Sequence, residues 1–500
     1  MPSRYRRSLL VVFCLALVLA WPKIVAAASL SQAELTGQIN AILNSAPLSK
    51  ARVGISVVRL SDGQQVFENK SDEAFIPASN QKLVTAAAAL GLLGPDFRFR
   101  TLLYSNGSFD GSKNFRGNLY LKGYGDPTLA RSDLAVLIQV LKDHGVRTVI
   151  GDLLADDSYF SGPEFGPGWL LEYRDKYYSA PASALSLEGN VVKISVSPGA
   201  RAGAKANWQA DPGSPLVSIE NDCVTAKRGA RCWTSLTRIS GNAFRLGGRI
   251  AAGHAPIVHV ITVENASLFT ASVFGEMLKA AGIALKGPVH VGPVLKGANL
   301  LASDYSPPLS EILAEMNKDS DNQIAEQVLR TIGAEIRAVG DYLDGAQAVS
   351  DYLNSLLPGV QLPVIRDGCG LDRGNSLSPH FLAALLARLP SLPHWQSFLN
   401  SLAIGGEDGT LKRRFKSSAS RGKIYAKTGT LTGACSLSGY VMGKGKREGT
   451  SPSPTNTFTD PGRPALAFSI LVNDYTSSVT AIREAEDKIC EALCRYAEGR

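Results

Sequence analysis

Three short motifs in the sequence combine residue types that can perform nucleophilic chemistry. They are Ser79-Asn80-Gln81-Lys82, Ser320-Asp321-Asn322 and Lys427-Thr428-Gly429. A serine hydroxyl becomes a strong nucleophile when a base stands beside it. Each motif is weak alone, because similar patterns recur by chance at Ser420-Arg421-Gly422-Lys423 and at Ser112-Lys113-Asn114. The surroundings of each motif must therefore decide which of them can be catalytic.

The surroundings of Ser79 favour a catalytic role. An Ala/Leu-rich segment, Leu83 to Leu93, follows it and has the composition of a buried helix. The hydroxyl is expected at the helix N-terminus, where amide N–H groups favour developing negative charge. Lys82 lies one turn further on the same face. An amine in a low-dielectric site can lose its proton and act as a base. An ordinary N-cap serine would present the same pattern.

The other two motifs carry groups that can hold a peptide. Ser320-Asp321-Asn322 stands at the start of a predicted helix, where a second hydroxyl can relay a proton and an amide can grip substrate backbone. An ordinary N-cap run is the alternative. Lys427-Thr428-Gly429 follows a predicted strand. A lysine and a threonine at a strand edge can bind a carboxylate while an extended peptide pairs along that edge. A polar turn is the alternative there.

The elements that must position these motifs come from both ends of the chain. Residues 29–96 and 296–500 are predicted to form one discontinuous α/β domain, and residues 97–295 an inserted β-rich region of one or two small domains. Helices are predicted at Gln32–Leu43, Leu83–Leu93, Leu309–Met316, Asn322–Ile332, Gly340–Leu357, Ser378–Ala387 and Ser478–Ala497. Strands are predicted at Val53–Arg59, Gly117–Lys122, Asn190–Val196, Ile257–Glu264, Lys423–Lys427, Ser436–Met442 and Ala465–Asn473. Lys444–Pro464, rich in Gly, Ser, Pro and Thr, is predicted to be a mobile loop.

The N-terminal residues predict export. Arg4, Arg6 and Arg7 precede an apolar run from Leu9 to Trp21, and small residues follow at 26–28. This is the pattern of a secretory signal peptide, assigned to residues 1–28. A membrane anchor is the alternative, but the run is shorter than the roughly 20 apolar residues that a spanning helix needs. The sequence therefore predicts an exported, periplasmic or otherwise extracytoplasmic protein.

Charge and metal-ligand patterns exclude several classes of function. The formal net charge is +8 at pH 7, of which the four basic residues of the predicted signal, with no acidic ones there, account for half. Because no long Lys/Arg stripe accompanies this surplus, nucleic-acid binding is not predicted. A mild attraction to an anionic polymer or a membrane surface stays open. The six histidines are scattered and no C-x-x-C occurs, so neither a metal nor another cofactor is predicted.

Six cysteines remain after the predicted signal, and export permits disulfides. Cys223 and Cys232 bracket a short basic loop and are the favoured pair. Cys490 and Cys494 stand four apart in a predicted helix, where either a strained bridge or two free thiols is compatible with the sequence. The pairing does not follow from spacing alone.

The three motifs together resemble the constellation of penicillin-binding proteins and serine β-lactamases. More narrowly, the chain is similar to the D-alanyl-D-alanine carboxypeptidase/endopeptidase family, the low-molecular-mass class C penicillin-binding proteins. That family carries a large insert between its first two motifs, which the stretch from Lys82 to Ser320 matches, whereas a β-lactamase has no room for it. Further similar stretches include Gly123–Pro127, Asp156–Phe160, Gly166–Trp169, Tyr178–Pro181, Met316–Lys318, Asp367–Arg373 and Asp408–Leu411.

The resemblance implies a fold and a set of roles. The fold would be a penicillin-binding-protein/serine β-lactamase-like transpeptidase domain, with helices on an antiparallel sheet, and a large β-rich insert. Ser79 would attack the carbonyl of the penultimate D-alanine, with Lys82 as base, and Ser320 would protonate the departing amine. Asn322 would hold the substrate amide. The implied carboxylate and oxyanion groups are Lys427, Thr428, Gly429 and Thr430, the last through its backbone N–H together with that of Ser79.

Two further residues match positions that recognise the diaminopimelate end of the stem peptide in this family. They are Asp157 and Arg373, for which a structural turn acid and a surface cation are the alternatives. The sequence departs from the family at Cys369, where a serine is usual, and at Thr432, where some members have glutamine. A bridge between Cys369 and Cys435 near the cleft stays open. These departures concern substrate side-chain preference rather than the core chemistry.

The function implied by the resemblance is serine-type D-alanyl-D-alanine carboxypeptidase and endopeptidase activity. Its substrates would be peptidoglycan stem peptides and cross-links, its covalent inhibitors β-lactam antibiotics, and no metal or organic cofactor would take part. One alternative is a serine β-lactamase or esterase with the same motifs. Another is a non-catalytic relative that only binds peptidoglycan. The sequence carries no signal for an oligomeric state.

Overall fold

The computed structural model describes residues 30–110, 112–443 and 463–498. The predicted signal peptide and nearly all of the predicted mobile loop lie outside the described residues. Within these ranges, no helix combines the length and the apolarity that a bilayer crossing requires.

All seven predicted helices have a counterpart among the helices of the described residues. The latter are α1 (Gln32–Leu43), α2 (Gln81–Leu92), α3 (Arg131–Asp143), α4 (Ala266–Ala280), α5 (Leu309–Lys318), α6 (Asn322–Arg337), α7 (Tyr342–Leu356), α8 (Pro379–Arg388), α9 (Trp395–Ser401) and α10 (Val479–Ala497). A short 3-10 turn, Ala78–Asn80, leads directly into α2.

The strands of the described residues form five sheets. In chain order they are β1 (Arg52–Arg59), β2 (Gln65–Asn69), β3 (Arg100–Ser105), β4 (Ser108–Phe109), β5 (Asn114–Arg116), β6 (Leu119–Gly123), β7 (Thr148–Ile150), β8 (Leu153–Asp156), β9 (Val191–Ser197), β10 (Asn207–Asp211), β11 (Ser218–Asn221), β12 (Val224–Ala226), β13 (Trp233–Ser240), β14 (Ala243–Ala251), β15 (Ile257–Thr262), β16 (Ala284–Leu285), β17 (Val289–Val291), β18 (Asn299–Tyr305), β19 (Ala403–Ile404), β20 (Ile424–Leu431), β21 (Ala434–Met442) and β22 (Pro464–Asn473).

The largest sheet is antiparallel and draws its strands from both ends of the chain. Its order is β19-β20-β21-β22-β1-β2. The N-terminal strand β1 pairs along its whole length with β22, with Ile55 opposite Ile470. All nine residues of β21 are buried, because helices cover both faces of the sheet. The strand that carries Lys427 therefore lies within a rigid, layered scaffold.

Two hydrophobic cores sandwich this sheet. On one face, α1 and α10 pack against residues such as Ile55, Leu437 and Ile470. On the other face, α2, α5, α6, α7 and α8 form a helical layer. Helix α2 is buried from Gln81 to Leu90, and its alanines allow neighbouring helices to approach closely. This central position holds the start of α2, and with it Ser79, against the sheet.

The region between β3 and β18 contains the other four sheets and two helices. This region was predicted to be β-rich and no helix was predicted in it, so helices α3 and α4 are additions to the predicted architecture. Helix α3 buries Leu134, Leu137, Ile138 and Leu141, the i, i+3, i+4, i+7 pattern of an amphipathic helix. In the sequence, the short strand patterns on either side of α3 made this helical pattern hard to recognise. Strand β18 pairs with β3, so hydrogen bonding of this region continues to Tyr305, beyond the predicted boundary at 295.

The favoured disulfide is absent. Cys223, Cys232, Cys369, Cys435, Cys490 and Cys494 are all free thiols. Cys223 immediately precedes β12 and Cys232 immediately precedes β13, and β14 separates these two strands. Two strand spacings amount to about 9–10 Å, whereas disulfide-linked Cα atoms lie within about 7 Å. The bridge left open between Cys369 and Cys435 is likewise not formed.

Candidate active site

Ser79 lies in the 3-10 turn before α2, with its hydroxyl next to a buried amine. Lys82 Nζ is 3.1 Å from Ser79 Oγ, as the spacing of one helical turn predicts. Ala78, just before the serine, has a φ of +48°, a strained value for a residue other than glycine. The chain is thus bent sharply at the point where Ser79 is presented.

The Lys82 amine is fully buried and has three polar partners. Besides Ser79 Oγ, Nζ lies 2.6 Å from Asn322 Oδ1 and 3.1 Å from the carbonyl oxygen of Cys369. Burial lowers the pKa of Lys82, and the neighbouring Cys369, Asp321 and Glu326 oppose part of that shift. A lysine whose pKa is lowered holds more of its neutral, basic form near neutral pH. The geometry and the shift together suit a general base for Ser79.

The second motif connects α5 to α6. Ser320 has a φ of +64°, and Asp321 caps α6 by accepting a hydrogen bond from Ile324 N at 2.9 Å. The cap fixes Asn322 as the first residue of α6. Its side chain accepts from Lys82 and donates to the carbonyl oxygen of Tyr178 at 2.7 Å. One turn of the chain therefore presents both Ser320 and Asn322 to the same cleft.

The third motif lies on β20 and faces the other two. Lys427 Nζ donates to Ser320 Oγ and to the Thr428 carbonyl oxygen, both at 2.8 Å. Burial lowers the pKa of Lys427 well below its usual value, and the charge of Lys82 lowers it further. Asn80 donates to the Lys427 carbonyl oxygen at 2.9 Å, which ties β20 to the turn that carries Ser79.

Gly429 permits the close approach of β20 to Ser79. A Cβ atom at this position would lie 2.2 Å from Ser436 Oγ and 2.8 Å from the Ser79 nitrogen. Both distances are shorter than van der Waals contact, so any side chain would push the strand away from the nucleophile. The flanking hydroxyls face other partners: Thr428 donates to Thr410 Oγ1 and Thr430 accepts from Arg483, each at 3.0 Å.

Ser79, Ser320 and Asn322 of the first two motifs line one cleft of about 450 Å³, together with Thr430, which follows the third motif on β20. The other lining residues are Tyr173, Tyr178, Gly370, Leu371, Leu431, Thr432 and Val479. The two tyrosines stack edge to face with 5.8 Å between ring centroids and form a wall that the motifs do not predict. Both tyrosines come from the inserted region. The aromatic-rich run 173–178 was the sequence feature that could have indicated this wall.

A cluster of buried acidic groups lies beneath Lys82. The Glu326 carboxylate accepts from Cys369 N at 2.8 Å and from Gly368 N at 3.1 Å. Asp367 accepts from Gly370 N and Asp372 N at 2.7 and 2.6 Å. These bonds hold the turn whose Cys369 carbonyl contacts Lys82. Glu326, Asp367 and Cys369 are close enough together to hold a metal ion. However, backbone N–H groups already occupy the carboxylate oxygens, so the cluster suits anchoring of the turn.

The two residues predicted to recognise substrate side chains lie in different places. Arg373 donates to the Thr432 carbonyl oxygen at 2.9 Å, so it stands at the rim of the cleft. Asp157 accepts from Ser267 at 2.7 Å, on the inserted region, and is not among the cleft-lining residues. The structure therefore brings Arg373, but not Asp157, to the residues that surround Ser79.

Comparisons with known proteins agree on one family. The model of the D-Ala-D-Ala carboxypeptidase 3 (S13) family matches residues 35–495. A D-alanyl-D-alanine carboxypeptidase of Actinomadura sp. (strain R39) is 34% identical over 493 residues, covering 96% of this chain and 88% of that protein. The D-alanyl-D-alanine carboxypeptidase DacB of Haemophilus influenzae is 27% identical over 397 residues, covering 78% and 82%.

A solved structure shares the fold. The crystal structure of penicillin binding protein 4 (dacB) from Haemophilus influenzae superposes with a TM-score of 0.78, at 24% identity, over 92% of this chain and 99% of that one. The same protein has also been solved in complex with a β-lactam, with a TM-score of 0.72 at 22% identity. Both the helical layers on the antiparallel sheet and the large insert are thus features of a known architecture.

Proposed function

Because this chain belongs to the D-Ala-D-Ala carboxypeptidase 3 (S13) family and is a serine-type D-alanyl-D-alanine carboxypeptidase, we propose that it works through an acyl-enzyme at Ser79. The observation that carries the proposal is the hydrogen-bonded set in which Lys82 contacts both Ser79 and Asn322 and Lys427 contacts Ser320. Two buried lysines beside two hydroxyls supply a base, a proton relay and a binding cation within one cleft.

Acylation begins at Ser79. Its Oγ attacks the carbonyl carbon of the penultimate D-alanine while Lys82 Nζ takes the hydroxyl proton. The oxyanion is held by the backbone N–H groups of Ser79 and Thr430; one such donor contributes about 3–4 kcal/mol in other acyl transferases. When the C–N bond breaks, Ser320 passes a proton to the departing amine. Water then attacks the ester and restores Ser79.

The substrate carboxylate is received by Lys427, Thr428 and Gly429 at the edge of β20. The pKa of Lys427 is lowered by burial, and an arriving carboxylate favours its ammonium form again. Asn322 holds the substrate amide, and Arg373 reaches the peptide side chain at the cleft rim. Asp157, like Arg373, is proposed to help recognise the diaminopimelate end of the stem peptide, away from the reacting atoms.

The wider activity follows from the same chemistry. A cross-linked stem peptide presents a bond after a D-residue just as a terminal D-alanine does, so we propose endopeptidase as well as carboxypeptidase activity. Penicillin, whose strained amide occupies the same place, would acylate Ser79. Residues 1–28 are proposed to direct export, which places the enzyme with its peptidoglycan substrate outside the cytoplasm. Residues 29–96 and 296–500 are proposed as the catalytic domain and 97–295 as its insert.

The experiment that tests the proposal is covalent labelling of the mature protein with a fluorescent penicillin. We expect a stable adduct on the wild type and none on Ser79→Ala. Ser420→Ala is the matched control, because Ser420 begins the other S-x-x-K pattern and hydrogen-bonds to Ser417 at 2.8 Å. Its labelling should equal that of the wild type. An adduct that survives in Ser79→Ala, or no adduct on any form, would contradict the mechanism.

A further inference from the structure

A second cavity lies next to the catalytic cleft, since Val479 lines the cleft and Thr480 lines this cavity. It has a volume of about 430 Å³ and lies between residues 409–414 and the first turns of α10. The helix wall consists of Thr480, Arg483, Glu484 and Asp487, which occupy one face at i, i+3, i+4 and i+7. We call this cavity the basic groove.

The charge on the groove walls is predominantly positive. Lys412 and Arg413 are exposed. In the described residues, the ion pairs of this segment are those of Arg414, with Glu486 at 3.0 Å and Asp487 at 2.6 Å. The charges of Arg414 and Asp487 therefore neutralise each other. The charges of Lys412 and Arg413 remain available to solvent or a ligand.

The α10 wall adds one more cation and one acid. Arg483 directs its guanidinium to the Thr430 hydroxyl rather than to a carboxylate. Glu484 is the opposing exposed acid of this wall. Three cations against one acid leave a surplus of positive charge, which suits a ligand with more than one carboxylate.

The basic groove begins next to the residues of β20 that are proposed to bind the end of the substrate. Thr428, the proposed partner of the substrate's terminal carboxylate, donates to Thr410, which lines the groove. Thr430 is joined to the groove through Arg483. At the helix start, Val479 lines the catalytic cleft and Thr480 the groove. A peptide that continued past the scissile bond would pass from one cavity into the other.

We propose that the basic groove binds the departing half of a cross-linked peptide, the part that leaves with the amine. This inference rests on the proposed function and extends it to the endopeptidase substrate. A monomeric stem peptide ends at Thr428 and has no atoms to place in the groove. In a cross-linked substrate the departing half continues from that point and carries free carboxylates, which Lys412, Arg413 and Arg483 face.

The test compares two substrates in one variant. In Lys412→Gln/Arg413→Gln, kcat/KM for a cross-linked peptide dimer should fall about five-fold, since each exposed charge contact contributes a few-fold at most. Release of D-alanine from the monomeric pentapeptide, and labelling by penicillin, should match the wild type. The control Lys227→Gln/Arg228→Gln removes the same exposed dipeptide charge from the inserted region and should leave all three activities unchanged.

A dimer in which the carboxylates of the departing half are amidated, except the one beside the departing amine that Lys427 and Thr428 receive, sharpens the test. The wild type should cleave it about as slowly as the groove variant does, and the groove variant should not distinguish it from the free acid. Equal loss on monomer and dimer, no loss on either, or a wild type that leaves the dimer intact would overturn the groove proposal. Penicillin labelling and its loss in Ser79→Ala report separately on the proposed acyl-enzyme, so the two failures are distinguishable.

Discussion

The floor of the catalytic cleft, by which we mean Lys82 and Lys427 with their partners, and the basic groove both contain cationic side chains. The environments of these cations differ, and so do the functions they can have. In the floor, Lys82 and Lys427 are fully buried, and loss of hydration lowers the pKa of each. In the groove, Lys412 and Arg413 are exposed to water. A buried lysine gives up its proton readily and can act in a reaction, whereas an exposed cation keeps its charge and can only attract.

The scaffold explains why the two regions differ. The floor is formed where α2, α6 and β20 meet between packed layers, so each polar atom there needs a partner inside the protein. The groove is formed by a loop after β19 and the outer face of α10, where water satisfies whatever the protein does not. We therefore expect large effects from changes in the floor and small, substrate-dependent effects in the groove.

The largest effect should come from removing the buried amine. Lys82→Met preserves most of the side-chain volume but removes the base, so the rate of penicillin acylation should fall about 10³-fold. In the wild type the same rate should rise with pH until the lowered pKa of Lys82 is passed, because only the neutral amine accepts the proton. Stopped-flow acylation from pH 5 to 10 measures both.

The matched control is a lysine immediately before β20 and outside the floor. Lys423 pairs with Glu498 at 2.6 Å near the protein surface, so Lys423→Met should leave acylation within about two-fold of the wild type. If the two lysine variants were impaired alike, the distinction between fully buried and partly exposed lysines would fail.

A smaller effect is expected at Glu326, the buried acid beneath Lys82. Burial, and the nearby Asp367, raise its pKa to about 8 from 4.5. The folded protein then holds a proton that unfolding releases between these pH values, so the free energy of unfolding falls as pH rises through this window. Glu326→Gln cannot titrate, and its Tm should fall less between pH 5 and pH 8, by about 2 °C or more.

Two comparisons keep that result interpretable. Glu326→Gln also loses one acceptor for the Gly368 or Cys369 N–H group, at about 1–3 kcal/mol, so its Tm should be lower at pH 5 whatever the pH slope does. Exposed Glu172→Gln should keep the wild-type slope. An unchanged slope in Glu326→Gln would mean that this carboxyl is ionised across the whole range.

The sequence was sufficient for residues whose relative position is set by local spacing. Lys82 reaches Ser79 because the two are three apart at a helix start, and apolar runs at Val53–Arg59 and Ser436–Met442 predicted buried strands. The order of the three motifs and their family resemblance then predicted the fold that the solved relative shares.

Residues brought in by long-range packing could not be predicted in this way. Glu326 lies one helical turn after Asn322, but nothing local indicates that the backbone of Gly368 and Cys369 would meet its carboxylate. Tyr178 contacts Asn322 across 144 positions of sequence. The pairing of Cys223 with Cys232 failed for the same reason, because the intervening β14 becomes visible only in the folded sheet.

The smallest expected effect is the response of the reaction rates to salt. It tests the comparison between the floor and the basic groove most finely. Raising NaCl from about 50 to 300 mM shortens the screening length from roughly 14 to 6 Å. Attraction between the groove and a carboxylated departing half should weaken, and kcat/KM for the cross-linked dimer should fall about two-fold. Penicillin acylation depends on buried groups that salt reaches poorly, so it should change less. In Lys412→Gln/Arg413→Gln the dimer should lose most of its salt response. A dimer response equal in both proteins would assign the screening to charges elsewhere, and the groove would then be an ordinary solvated surface.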